Sequence, residues 1–271
     1  MSFASKMSAG LLAAACLCSL SAAEILSIVE PADFTIPKRV TQEGDSILVK
    51  GPSFTLNSAK TLTLDPAKKY KISCEFRLKE GVEGGNLYIG FTPFDAEGRQ
   101  IRAVSVNALA KSNTVVVKAA AEGDSMICVK DASKWNMKTP HGYIAFNAKP
   151  DYSDLPNNDV AAVAPDGIRQ NGDVWEITLK APLTKAVAEG TEVRQQIAGA
   201  THIYAAYQQK NGVTGEWTVL SGVIDGKVSE FGSYKKELWH GTASVRLMIC
   251  MLSGKKDTVL EMKNIVVEEV E

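Results

Sequence analysis

The stretch YKISCEFRLK, residues 70–79, limits the fold more than any other part of the chain. Tyr70, Ile72, Cys74, Phe76 and Leu78 fall on one side of an extended backbone. Lys71, Ser73, Glu75, Arg77 and Lys79 fall on the other. Strict period-two alternation marks a strand with one buried and one wet face, and such a strand needs a sheet and a second layer. The pattern recurs. GVEGG at 81–85 is a turn, and NLYIGFTPF then sets Leu87, Ile89 and Phe91 against Tyr88 and Thr92. VWEITLK alternates Trp175, Ile177 and Leu179 with Glu176, Thr178 and Lys180. ASVRLMICML, 243–252, is apolar nearly throughout and reads as a central strand. No segment holds a long 3.6-residue period. Many short strands between Gly, Pro, Asn and Asp turns predict an all-β sandwich or barrel.

The start, MSFASKMSAGLLAAACLCSLSAAEI, has the form of a cleaved secretory signal. Lys6 precedes an apolar run, and Ser21-Ala22-Ala23 supplies small residues before the cut. Residues 1–23 are therefore expected to be removed and the chain exported, to the periplasm, the cell surface or the medium. A lipoprotein variant would use Cys16. No other run is long enough to span a membrane. What remains is about 250 residues, one large β domain or one domain with an insertion. Net charge is −1 with no basic tract, so the footprint of nucleic-acid binding is missing. Cys74, Cys128 and Cys250 remain after cleavage. They read either as one disulfide plus a thiol or as three buried thiols. Each sits in an apolar strand, which favours the thiols.

Residues 133–173 are rich in Lys, Pro, Asn and Asp, including KPDYSDLPNND and APDGIRQNGD. A long loop-rich stretch inside a compact domain usually belongs to an appended unit. The expected organisation is a jelly-roll β-sandwich from 24–113 and 198–271, with residues 114–197 inserted as a small β-module.

Two resemblances bear on this. TLTLDPAKKYKISCEFRL, GEWTVLSGVIDG, ASVRLMICML and MKNIVVEEVE, in that order, resemble the galactose-binding-like jelly rolls. These include carbohydrate-binding modules of secreted bacterial glycan-degrading enzymes. The resemblance implies an extracellular polysaccharide as partner. It also implies a structural calcium held partly by an acid in the last strand. Asn264 stands there instead, and an amide oxygen is a weaker ligand, so no cofactor is expected and calcium stays an open alternative. The second resemblance is of AEGDSMICVKDASKW and WEITLKAPLTKAVAEGTEVR to small β-modules of surface and phage-tail proteins. It implies that Met126, Cys128 and Lys130 share one face of a strand, that Ile127 and Val129 share the other, and that Trp135 caps a small core.

Enzyme signatures are sparse. The three histidines, His141, His202 and His240, have no metal-ligand spacing, and no G-x-S-x-G elbow occurs. The paired carboxylates of a β-sandwich glycosidase are absent in their clustered form. His202-Ile203-Tyr204 is the nearest approach to a polysaccharide-lyase base, and its plainer reading is a strand-edge pair. DYSDLPNND, 151–159, fails as a calcium loop, with Leu155 and Pro156 at ligand and glycine positions, and reads as a solvated turn cluster.

Aromatic residues carry the remaining function. A glycan site needs flat rings against sugar faces and planar polar groups against hydroxyls. Trp175 alternates with Ile177 and Leu179 and reads as core, as does Trp217 in phase with Val219. Trp239, in KKELWHGT among charges and beside a glycine, reads as an exposed loop ring. The expected ligand-binding residues are Trp239 and Tyr88 for stacking and Arg77 and Glu75 for hydrogen bonds. Tyr204 and Arg246 are possible neighbours on the polar sheet face. The expectation is a non-catalytic polysaccharide-binding protein. The alternatives are a structural or adhesive surface protein and a β-sandwich lyase.

Overall fold

In a computed structural model of the chain, residues 23–208, 212–233 and 235–271 are described. The expected leader and Cys16 lie outside them, apart from Ala23. The strands are β1 (Ala23–Ile28), β2 (Val40–Glu43), β3 (Ser46–Lys50), β4 (Phe54–Asn57), β5 (Lys69–Glu80) and β6 (Asn86–Phe94). After one helical turn, α1 (Ala103–Val106), come β7 (Thr114–Lys118), β8 (Met126–Val129), β9 (Gly142–Phe146), β10 (Val160–Asn171), β11 (Val174–Leu179) and β12 (Glu192–Ile197). The chain closes with β13 (Ile203–Gln208), β14 (Thr218–Val228), β15 (Glu237–Leu238), β16 (Ser244–Leu252) and β17 (Val259–Val270). No helix among the described residues is long and apolar enough to cross a membrane.

The protein is all-β, with a two-sheet sandwich and a closed barrel. One sheet runs β15-β14-β5-β17-β3-β2, with β1 also on β17; the other runs β13-β6-β16-β4. The alternation in β5 is realised in full. Tyr70, Ile72, Cys74, Phe76 and Leu78 are buried, and the residues between them lie on the outer face. They share one core with Leu87, Ile89 and Phe91 of β6 and with Leu247, Ile249 and Met251 of β16. Each such side chain, fully buried, contributes roughly 1.5–3 kcal/mol. The sandwich therefore closes over a contact between strands far apart in sequence. Where the two sheets meet at their edges, Gly222 of β14 lies against β13. A Cβ there would sit 2.2 Å from the Ala205 carbonyl oxygen, so only glycine allows the approach.

Strands β10-β11-β8-β7-β12-β9 form the barrel. Closure leaves no free sheet edge. Ile127, Val129, Ile144, Ile177 and Val193 fill it. Trp135 packs into the same core and donates its indole N–H to the Ser112 carbonyl at 2.8 Å. Trp175 packs against this core only partly buried. Met126 and Cys128 face outward from β8. Cys74, Cys128 and Cys250 are free thiols, and Cys128 is only half-buried, unlike the other two.

The DYSDLPNND segment departs from expectation. It is a joint between barrel and sandwich, with Leu155 and Asn157 buried. Asp154 receives two hydrogen bonds from Arg194, from Nη1 at 2.9 Å and Nη2 at 2.7 Å. Arg194 is 0 % exposed. Its guanidinium also donates to the Lys149 carbonyl and lies 5.3 Å from the Tyr152 ring centre. Tyr152 stacks on Phe231 of the sandwich at 4.5 Å. The Asn157 N–H donates to the Ser105 carbonyl at 2.8 Å, and Gln196 spans from Arg194 (3.0 Å) to the Val104 carbonyl (2.8 Å). A solvated turn would leave these polar groups in water. Here a buried cation needs an acid, and the loop supplies it.

Candidate functional site

The outer face of the four-stranded sheet gathers three tyrosines. Leu87, Ile89 and Phe91 turn inward from β6, so Tyr88 turns outward. On β13, Tyr207 pairs with Tyr88 and Tyr204 pairs with Gly90. Residues three apart on a regular strand face opposite ways. A bulge between Tyr204 and Ala206 corrects the phase. Both rings then reach Tyr88, at centroid distances of 4.9 Å for Tyr204 and 5.9 Å for Tyr207. Gly90 makes the bulge possible, because a Cβ there would fall 1.9 Å from the Ile203 carbonyl oxygen.

Beside the rings lies a second, largely buried row of mixed character. Cys250 of β16 pairs with Tyr88, Met248 with Gly90 and Arg246 with Thr92. Thr92 Oγ1 donates to Asn57 Oδ1 at 2.6 Å and stands 3.0 Å from His202 Nδ1. With the one hydroxyl proton of Thr92 given to Asn57, Nδ1 of His202 carries the hydrogen of a neutral ring. His202 is 8 % exposed. Burial pushes its pKa down to about 4, so it is uncharged at neutral pH. Burial raises the pKa values of Tyr204 and Cys250 in the same way. Arg246 points from this row toward the sheet end. Its Nε donates to Thr61 at 3.2 Å, and its guanidinium lies 5.6 Å from the Phe94 ring centre.

Arg77 and Glu75 sit on the outer face of the other sheet, across the core from Tyr88. Arg77 Nε donates to Glu261 at 2.7 Å, and the guanidinium carbon stands 4.7 Å from the centre of the Trp217 ring. Lys263 Nζ stands 4.6 Å from the same ring. Asn264 Nδ2 donates to Glu75 at 2.8 Å. The amide at the position where the resembled family carries an acid therefore serves here as a donor to Glu75.

Two sequence expectations are corrected. Trp239 is not a loop ring: it is 1 % exposed and belongs to the sandwich core. The short strand β15 pairs with β14 and carries Leu238 and Trp239 in beneath the sheet edge. A ring closed off from solvent cannot stack on a sugar. Trp217 is not core: it is 36 % exposed. The four expected residues thus divide among three places: Tyr88 on one outer face, Arg77 and Glu75 on the opposite one, and Trp239 between. Tyr207 and Trp217, which the structure places on these two surfaces, were not among the expected residues. A bulge hid the first, and the ambiguous phase of β14 hid the second. Among the described residues, no three His, Cys, Asp or Glu side chains cluster to hold a metal.

No protein-family model, curated protein or solved structure matches this chain.

Proposed function

We propose that the chain is an exported, non-catalytic polysaccharide-binding protein of galactose-binding-like jelly-roll type. It takes its glycan across the outer face of β13-β6-β16-β4. The observation that carries this reading is the trio Tyr88, Tyr204 and Tyr207. Three amphipathic rings on a rigid sheet offer apolar faces to sugar rings and hydroxyls to their edges. Thr92, Met248 and Cys250 beside them are buried, so the rings, their hydroxyls and the partly exposed Arg246 make the surface a ligand would meet. What supports binding over catalysis is the state of His202: nearly buried, weakly basic and tied to Thr92, it is a poor proton acceptor for a lyase.

A glycan array probed with the protein, followed by affinity measurements on Tyr88→Ala and Tyr204→Ala, tests the reading. A stacking ring contributes roughly 1–3 kcal/mol by analogy with base–aromatic stacking. Each variant should lose about tenfold in affinity, equivalent to about 1.4 kcal/mol. Binding unchanged in both variants would remove the tyrosine face from the proposal.

The second reading is a structural or adhesive surface protein without a sugar site. The burial of Trp239 favours it, because it takes away the one ring the sequence assigned to a loop. Absence of binding to every glycan on the array is the outcome this reading requires.

A further inference from the structure

The Trp217 platform resembles a ligand surface more than a packing contact. Arg77 and Lys263 belong to β5 and β17, the two strands that the indole lies across from the end of β14. Both cations hold the ring at cation–π distance. Arg77 is itself fixed by Glu261, whose side chain is 8 % exposed. The ring is thus anchored by both cations, and the residue keeps 36 % of its surface exposed. Around it the charges of Arg77, Lys263, Glu75 and Glu261 cancel. The patch therefore favours neither an anion nor a cation, yet it presents donors and acceptors beside a partly exposed indole. A neutral sugar ring matches that chemistry, with C–H groups on the indole and hydroxyls on the flanking polar groups.

We propose that Trp217, with Arg77, Lys263 and Glu75, forms a second neutral-glycan site, so that one protein bridges two polysaccharide chains. The two surfaces lie on opposite outer faces of a sandwich whose sheets pack about 10 Å apart. A glycan lying flat on the tyrosine face does not reach the indole. Simultaneous occupancy then joins two chains, or two distant segments of one chain, and raises avidity without any new contact. This inference rests on the glycan-binding reading above and extends it from one site to two.

The test uses the full chain in affinity electrophoresis through gels containing soluble β-glucan, xylan or galactomannan. Oligosaccharides cut from whichever polymer retards it are then titrated by calorimetry. Two sites per chain are expected, one removed by Trp217→Ala and the other by Tyr88→Ala. Tryptophan emission should shift on binding, because Trp217 is far more exposed than Trp135 and Trp239 and the partly buried Trp175 belongs to the barrel, and Trp217→Phe should abolish the shift. Substoichiometric protein should raise the light scattering of the polymer, and either single variant should not. One site, lost in Tyr88→Ala and untouched in Trp217→Ala, overturns the bridging inference and leaves the tyrosine reading standing. One site lost only in Trp217→Ala overturns both bridging and the tyrosine face. No retardation by any of the polymers overturns both as well. Should Trp217→Ala fail to fold, the unmutated chain still decides: binding with no emission change places the ligand away from Trp217.

Discussion

Removing the Asp154 carboxylate should destabilise the protein more than its place in a polar loop suggests. Arg194 is fully buried, and Asp154 answers it with both oxygens. In Asp154→Ala the guanidinium keeps only the Lys149 carbonyl, Gln196 and the Tyr152 ring. Stranding one partner of a buried pair costs about 3–5 kcal/mol. Unfolding entropy of about 2.1 cal/mol/K per residue gives about 0.5 kcal/mol/K for a chain of about 250 residues, so the melting point should fall by about 6–10 °C. The carboxylate itself titrates in the matching direction. Burial raises its pKa, but hydrogen bonds from Arg194, Asn157 and the Lys149 N–H outweigh that and leave it below the ordinary value. Its stabilisation is present above the unfolded pKa and is lost as pH falls through the lower folded one. Thermal and urea melts of Asp154→Ala, Arg194→Met and the double variant form the assay. The double variant should be more stable than Asp154→Ala alone, because it removes the stranded charge. A melting point within about 2 °C of the parent for Asp154→Ala would refute the reasoning and show that water reaches the guanidinium.

Trp239→Ala should cost about 3–5 kcal/mol as a large core truncation, whereas Trp217→Ala at a half-exposed site should cost under about 1 kcal/mol; urea unfolding of both variants separates the two cases. His202 adds a pH dependence. With a folded pKa near 4 against an ordinary 6.5, the unfolded chain binds the extra proton between those values. Stability should therefore fall by about 2.5 kcal/mol from pH 7.5 to 4.5, and His202→Gln should remove that part of the slope in urea melts at the two pH values.

The sequence by itself determined the class of fold and the facing of its best strands. Tyr70 to Leu78 alternate so strictly that one register alone buries the apolar set, and a one-residue slip would turn all five outward. The structure keeps that register. The same holds for Ile127 and Val129 against Met126 and Cys128. Tertiary structure decided the rings. Along β14 and the residue before it the two faces read Trp217, Val219, Val223 and Leu220, Ile224, both apolar, so the pattern cannot tell inside from outside. The neighbouring sheet settles it, covering Leu220 and Ile224 and leaving Val219 and Trp217 in water. Trp239 sits among charges, yet a two-residue edge strand swings it under the sheet. Tyr204 and Tyr207 share a face only because a bulge against Gly90 adds a residue to one strand and not to its partner. A local period records how a strand alternates. Which of its faces meets another layer, and where a ladder skips, depends on contacts between residues far apart in the chain, which form only on folding.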